Sequence, residues 1–187
     1  MAKIRTFIAI EIPEQVKTKI AALQNQLKKE NERVSWTKSD NIHLTLKFLG
    51  NVEENQIELM AQKLHKALQN VSSFHFAVKN LGGFPNLKRP RVLWVGIEEP
   101  THQLSALAEK IEDALAEMGF PKEKRKFSPH LTLGRVKTSL SRKFLQKFTQ
   151  LSLEAGTVQV EEVVIMKSTL KPTGAEYSPL KRIKLTH

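Results

Sequence analysis

The amino-acid sequence predicts an α+β fold made from a duplicated half. Three observations carry this expectation. Strand-like segments occur both in neighbouring pairs and after helical stripes, which favours antiparallel pairing over a doubly wound parallel sheet. The tetrapeptide His-Leu-Thr-Leu occurs twice, at His43–Leu46 and His130–Leu133, 87 residues apart in a chain of 187. No Pro-, Gly- or Ser-rich linker divides the chain, and the nearest candidate boundary is the loop at residues 98–101. Residues 1–187 are therefore read as one domain of two interleaved lobes, one motif in each.

The elements follow in order. Residues 3–10 are β-branched and aromatic without a breaker, and read as a strand. Pro13 and Glu14 open a helix whose apolar residues Val16, Ile20, Leu23 and Leu27 recur at helical spacing. Segments 33–37 and 42–49 read as strands separated by the polar turn Lys38–Asn41. Ile57, Met60, Ala61, Leu64, Ala67 and Leu68 form a second helical stripe. Residues 74–81 alternate and are expected to end at Gly82-Gly83. Segment 91–97 is a further strand. In the second half, Leu104, Leu107, Ala108, Ile111, Leu115 and Met118 make a helix stopped by Gly119. Residues 127–136 read as a strand, and Leu140, Phe144, Leu145 and Phe148 as a short helix. One long strand or two occupy 157–170, followed by a turn at Pro172–Gly174 and a last strand at 178–185.

Composition narrows the function. Cysteine is absent, which excludes a disulfide framework, a thiolate metal site and a cysteine nucleophile. The apolar run at 4–10 is too short for an export signal, and no stretch approaches the ~18 apolar residues of a membrane span. A cytoplasmic protein with no membrane association is expected. Lys and Arg number 30 against 19 Asp and Glu, a net charge of +11. This charge calls for an anionic partner such as nucleic acid, a nucleotide or an acidic surface.

The repeat carries the chemistry. Side chains alternate along a strand, so His43 and Thr45 share one face while Leu44, Leu46 and Phe48 are expected to fill the other. His130 and Thr132 likewise face together, over Leu131 and Leu133. Residues i and i+2 lie roughly 6.5–7 Å apart, a spacing that suits two groups touching different atoms of one small ligand. If the halves pack about a pseudo-two-fold axis, both His-Thr faces line one cleft. Two imidazoles supply the base and the acid that in-line displacement at a phosphodiester needs at neutral pH. Two hydroxyls can donate to the non-bridging phosphate oxygens. No metal-ligand spacing is evident, and no metal or other cofactor is expected. The bland reading of each residue is a satisfied strand histidine and ordinary threonine β-propensity. Its weakness is that a fold needs no His-x-Thr twice on polar faces. His65, His75, His102 and His187 have no comparable context.

At these residues the sequence resembles the two-histidine phosphoesterases, defined by paired His-x-Thr-x motifs. The nearest branch is the RNA 2′,3′-cyclic phosphodiesterases, long called 2′-5′ RNA ligases. The resemblance spans nearly the whole chain, through RTFIAIEIP, WTKSDNIHLTLKFLGNV, GGFPNLKRPRVLWVGI and FSPHLTLGRV. It implies a bilobal, pseudo-two-fold fold with two antiparallel sheets lining a central cleft and helices outside. It also implies hydrolysis of a 2′,3′-cyclic phosphate at an RNA end to a 2′-phosphate, with reversible ATP-independent 2′-5′ ligation. Carried over by motif, His43 is the proton donor to the departing 3′-oxygen and His130 the proton acceptor that activates water. Thr45 and Thr132 are phosphate ligands, and Arg135 is the basic residue near the phosphate. Strict alternation places Arg135 on the Leu131/Leu133 face, unless Gly134 marks a bulge that re-aims it; otherwise Arg135 is a solvated strand-end charge. The implied partner is RNA with a cyclic phosphate end, tRNA fragments included, acted on by a monomer.

Secondary features stay open. The basic segments 122–126 and 88–91 read either as tracks for an RNA backbone or as solvated faces. Phe7, Phe84 and Tyr177 read as packing residues before base-stacking ones, and Trp36 and Trp94 as core. Competing functions are a non-enzymatic nucleotide- or RNA-binding module on the same scaffold, and a phosphodiesterase of a small cyclic nucleotide or an ADP-ribose cyclic phosphate. A two-histidine metal enzyme is the least favoured.

Overall fold

The protein is described from a computed structural model, over residues 1–99 and 102–187. The candidate boundary at 98–101 lies partly outside the described residues. Strand β1 (Lys3–Glu11) leads into helix α1 (Glu14–Lys28), then β2 (Val34–Trp36), β3 (His43–Glu53), α2 (Ile57–Leu68), β4 (Phe74–Phe84) and β5 (Val92–Glu98). Helix α3 (Gln103–Ala116), β6 (His130–Val136), α4 (Arg142–Gln150), β7 (Glu154–Val160), β8 (Glu162–Lys171) and β9 (Gly174–Lys184) complete it. The segment at 157–170 is thus divided between two strands, and the strand expected from 127 begins at His130.

The strands form two antiparallel sheets, one of four strands in the order β3-β1-β8-β9 and one of five in the order β2-β6-β5-β4-β7. The topology interleaves the halves. β4 closes the first half yet joins β5 and β7, while β8 from the second half pairs with β1. Each motif strand sits beside an equivalent neighbour, β3 on β1 and β6 on β5.

Helical stripes and core-facing strand residues merge into one apolar cluster on the helix side of both sheets. Val16, Ile20, Leu23 and Leu27 of α1 are all buried, as are Met60, Leu64 and Leu68 of α2. Each such side chain contributes about 1.5–3 kcal/mol by leaving water. The opposite faces of the sheets are left open, and β3 and β6 approach each other where the sheets meet. No helix among the described residues is long and apolar enough to cross a membrane.

Two glycines depart from their expected role. Gly82 and Gly83 do not end β4, which runs on to Phe84. A Cβ on Gly82 would lie 2.2 Å from the Trp94 ring, so the glycine is where the indole lies across the sheet. Trp94 pairs with Thr132 and belongs to the open face, not to the core. Trp36, by contrast, packs against the core as expected.

Candidate active site

Register decides which side chains reach the open face. In the first motif, Glu11 pairs with His43 and Ala9 with Thr45, but Ile8 pairs with Lys47 and Phe7 with Phe48. Leu46 is therefore an extra residue, a bulge that reverses the alternation after it. His43 and Thr45 share the open face, as expected. Phe48 does not join Leu44 and Leu46 in the core: it is 71% exposed, and Lys47 takes the interior position at 7%. The buried ammonium is satisfied by Glu112 Oε2 at 2.6 Å and the Pro121 carbonyl at 2.9 Å.

The second motif carries the matching irregularity. Gly96 pairs with His130, Trp94 with Thr132, Leu93 with Gly134 and Val92 with Arg135. Leu133 is the extra residue, so Arg135 returns to the face of His130 and Thr132. Alternation alone would have sent it to the leucine face. Gly134 is required there because a Cβ would lie 2.6 Å from Val34 Cγ1 and 3.1 Å from the Ser35 carbonyl. The bulged Leu133 carbonyl accepts from the Thr37 amide and from Gln24 Nε2, both at 2.9 Å. Gln24, 2% exposed, thus stands within the apolar stripe of α1 to support the bulge. A glutamine directly following Leu23 in that stripe was the sequence signal for it.

The two imidazoles are held alike. Nδ1 of His43 lies 2.7 Å from the Asn41 carbonyl, and Nδ1 of His130 lies 2.7 Å from the Ser128 carbonyl. A carbonyl only accepts, so each Nδ1 carries hydrogen and each Nε2 is the nitrogen free to exchange a proton. The segment before His43 is pinned by Asn41 Nδ2, which donates to the Ala175 carbonyl at 2.7 Å, and by Lys38 Nζ on the Thr173 carbonyl at 2.6 Å. These contacts tie the β8–β9 hairpin to the histidine.

Their surroundings differ. His43 stacks on Phe7 with centroids 4.8 Å apart, and Tyr177 meets it edge-on at 4.9 Å. Phe7, Ala9, Val164 and Met166 form a small buried cluster beneath it, with Tyr177 alongside. Thr45 Oγ1 donates to Nε2 of the neutral ring across 2.9 Å. Burial pushes the imidazole down from 6.5 to about 4; the Asn41 hydrogen bond opposes this and the charge of Lys17 adds to it. Among the rings of the described residues, only that of Phe84 lies against His130, edge-on at 4.8 Å. Phe7, Phe84 and Tyr177 thus all act first as packing partners of the motif histidines and of neighbouring rings.

Of the two basic segments, Lys122 pairs with Asp113, whereas Lys124, Arg125 and Lys126 are exposed, as are Lys88, Arg89 and Arg91. Among the described residues, no three His, Cys, Asp or Glu side chains gather in a way that could hold a metal ion.

Comparison with known proteins places this arrangement. The model of the family described as LigT like Phosphoesterase matches twice, over residues 10–94 and 95–177, so that each half carries one motif. A protein of Thermotoga maritima named RNA 2′,3′-cyclic phosphodiesterase is 38% identical over 94% of this chain and 92% of its own length. One of the same name from Methanothermobacter thermautotrophicus is 32% identical over 98% of this chain and 100% of its own. The crystal structure of E. coli LigT complexed with 3′-AMP superposes with a TM-score of 0.83 at 25% identity, covering 100% of both chains. A duplicated match, relatives of near-equal length and a common fold lead to one assignment: the chain belongs to the LigT-like phosphoesterase family.

Proposed function

We propose that the protein hydrolyses the 2′,3′-cyclic phosphate at an RNA end to a 2′-phosphate; relatives that cover nearly its whole length bear the name RNA 2′,3′-cyclic phosphodiesterase. The observation that carries this reading is the pair of imidazoles, each pinned through Nδ1 to the carbonyl two residues earlier and each left with Nε2 to exchange a proton. In the reaction, Nε2 of His130 takes a proton from water as its oxygen bonds to phosphorus. The P–O3′ bond breaks and Nε2 of His43 gives its proton to the departing 3′-oxygen. One water is consumed; in ligation a 5′-hydroxyl takes the place of that water, the same P–O3′ bond breaks, and the two histidines keep their roles. Thr45, Thr132 and Arg135 hold the non-bridging oxygens, whose charge shifts during transfer.

The environment of His43 shapes this cycle. In the empty site the ring is neutral at pH 7, since burial favours the uncharged form. A phosphate anion beside it favours the imidazolium, so the ring takes up from solvent, as substrate binds, the proton that the acid must later donate.

In the same reading residues 1–187 form one catalytic unit that works as a cytoplasmic monomer on RNA fragments, those of tRNA among them. The test is turnover of an oligonucleotide ending in a 2′,3′-cyclic phosphate, in EDTA, with 2′-phosphate as product. His43→Ala and His130→Ala should each lower turnover by about 10²–10⁴ without unfolding the protein. Full activity in both variants refutes the reading, and binding without product under all conditions refutes it in favour of a binding module.

A further inference from the structure

We propose that the open face of the four-stranded sheet beyond His43 is a subsite for the nucleotide 5′ to the one that carries the cyclic phosphate, with Phe48 as its stacking platform and Arg5 as its phosphate contact. The inference rests on the RNA reading above and adds a substrate requirement to it: an oligonucleotide rather than a mononucleotide.

The starting point is the anomaly at Phe48. The bulge at Leu46 takes a phenylalanine out of the core and puts a lysine in its place, leaving the ring 71% exposed. The exposed ring is not isolated. Its centroid is 6.1 Å from that of Phe7, whose own ring stacks on His43 at 4.8 Å. Phe48 thus stands two ring spacings from the imidazole, a span that the terminal ribose and the phosphate 5′ to it bridge.

Beside it lies a cavity of about 290 Å³, with Arg5, Phe7, Phe48, Asn51, Ser168 and Tyr177 in its lining. Register explains the grouping. Arg5 and Phe7 share a face of β1, Asn51 pairs with Arg5, and Ser168 pairs with Tyr177. The volume is near the lower end of small-ligand sites and takes one base with its sugar. Arg5 forms no ion pair among the described residues, and its side chain is exposed. An aromatic face, a guanidinium, an amide and a hydroxyl together match a base and its phosphate. An apolar partner would instead desolvate Arg5, Asn51 and Ser168 without compensation.

The experiment compares a 2′,3′-cyclic mononucleotide with a tetranucleotide carrying the same end. Phe48→Ala should lower kcat/KM for the tetranucleotide by about tenfold more than for the mononucleotide, and Phe48→Trp should restore it. Arg5→Gln should make the salt dependence of tetranucleotide binding shallower by about one ion. Fluorescence anisotropy of a labelled tetranucleotide ending in a 2′-phosphate reads the subsite without turnover, so it is decided even if the proposed reaction fails. Tighter binding by the wild type than by Phe48→Ala, with unchanged melting temperature, supports the subsite. Equal binding by the two, or an equal loss of kcat/KM on both substrates, overturns it.

Discussion

The His43 and His130 halves of the site have the same tetrapeptide, the same Nδ1-to-carbonyl bond and a bulge at the second leucine, yet they are built differently. β3 is an edge strand whose imidazole is enclosed by Phe7 and Tyr177, and its bulge is supported by a buried ion pair. β6 lies inside its sheet, its imidazole meets, among the rings of the described residues, only the edge of Phe84, and its bulge is supported by the neutral amide of Gln24. Duplication therefore supplied two equivalent groups, and the neighbours of each half made them unequal. Two titratable groups in different environments are what acid–base division requires.

The supports can be removed one at a time. The largest effect is expected in the first half. Glu112→Ala leaves Lys47 charged in the interior and should cost about 3 kcal/mol in urea unfolding. It should also loosen the 121–123 segment, since the Glu123 amide donates to the same carboxylate. A cost below about 1 kcal/mol would show that water reaches Lys47, and that the bulge at Leu46 stands without the pair.

Next comes the pH dependence of stability. The folded pKa of His43 lies below that of the unfolded chain, so between about 4 and 6.5 the unfolded state binds the extra proton. Stability is complete above 6.5 and declines as the pH falls through this window. After discounting for the ring's partial exposure, the decline should be about 2 kcal/mol. His43→Gln should remove this component, and chemical denaturation from pH 7 to pH 4 measures it. The comparison collapses if His130→Gln removes as much.

The smallest effect belongs to the second half. Gln24→Leu strips a donor from the Leu133 carbonyl, which keeps its bond from Thr37, and should cost about 1–2 kcal/mol. If the bulge is what aims Arg135, turnover of the cyclic phosphate should fall as well. A variant that loses stability but keeps full kcat/KM would separate the support from the aim.

Much of this was legible in the chain itself. The helical stripes of α1, α2, α3 and α4 appear at their expected places because 3.6-residue periodicity is a local property read directly from spacing. The pairing of His with Thr on one face followed from the two-residue repeat of a strand. What misled was the assumption that alternation continues. It predicted a buried Phe48 and left Arg135 in doubt, and in both motifs a single extra residue reversed the pattern. Gly134 hinted at one bulge; nothing in Leu46 hinted at the other. Glycine at 82 resembled a terminator because the Trp94 ring that needs its space arrives from another strand.

By itself, then, the sequence determined the α+β class, the duplication and the identity of the paired imidazoles and hydroxyls, because these depend on residue type and on spacing along one element. The tertiary structure decided the interleaving of the halves, the faces on which Phe48, Trp94 and Arg135 stand, and the different aromatic surroundings of two identical histidines. Those depend on strand register and on side chains from distant segments, and the energy of an imidazolium is set by what surrounds it in space.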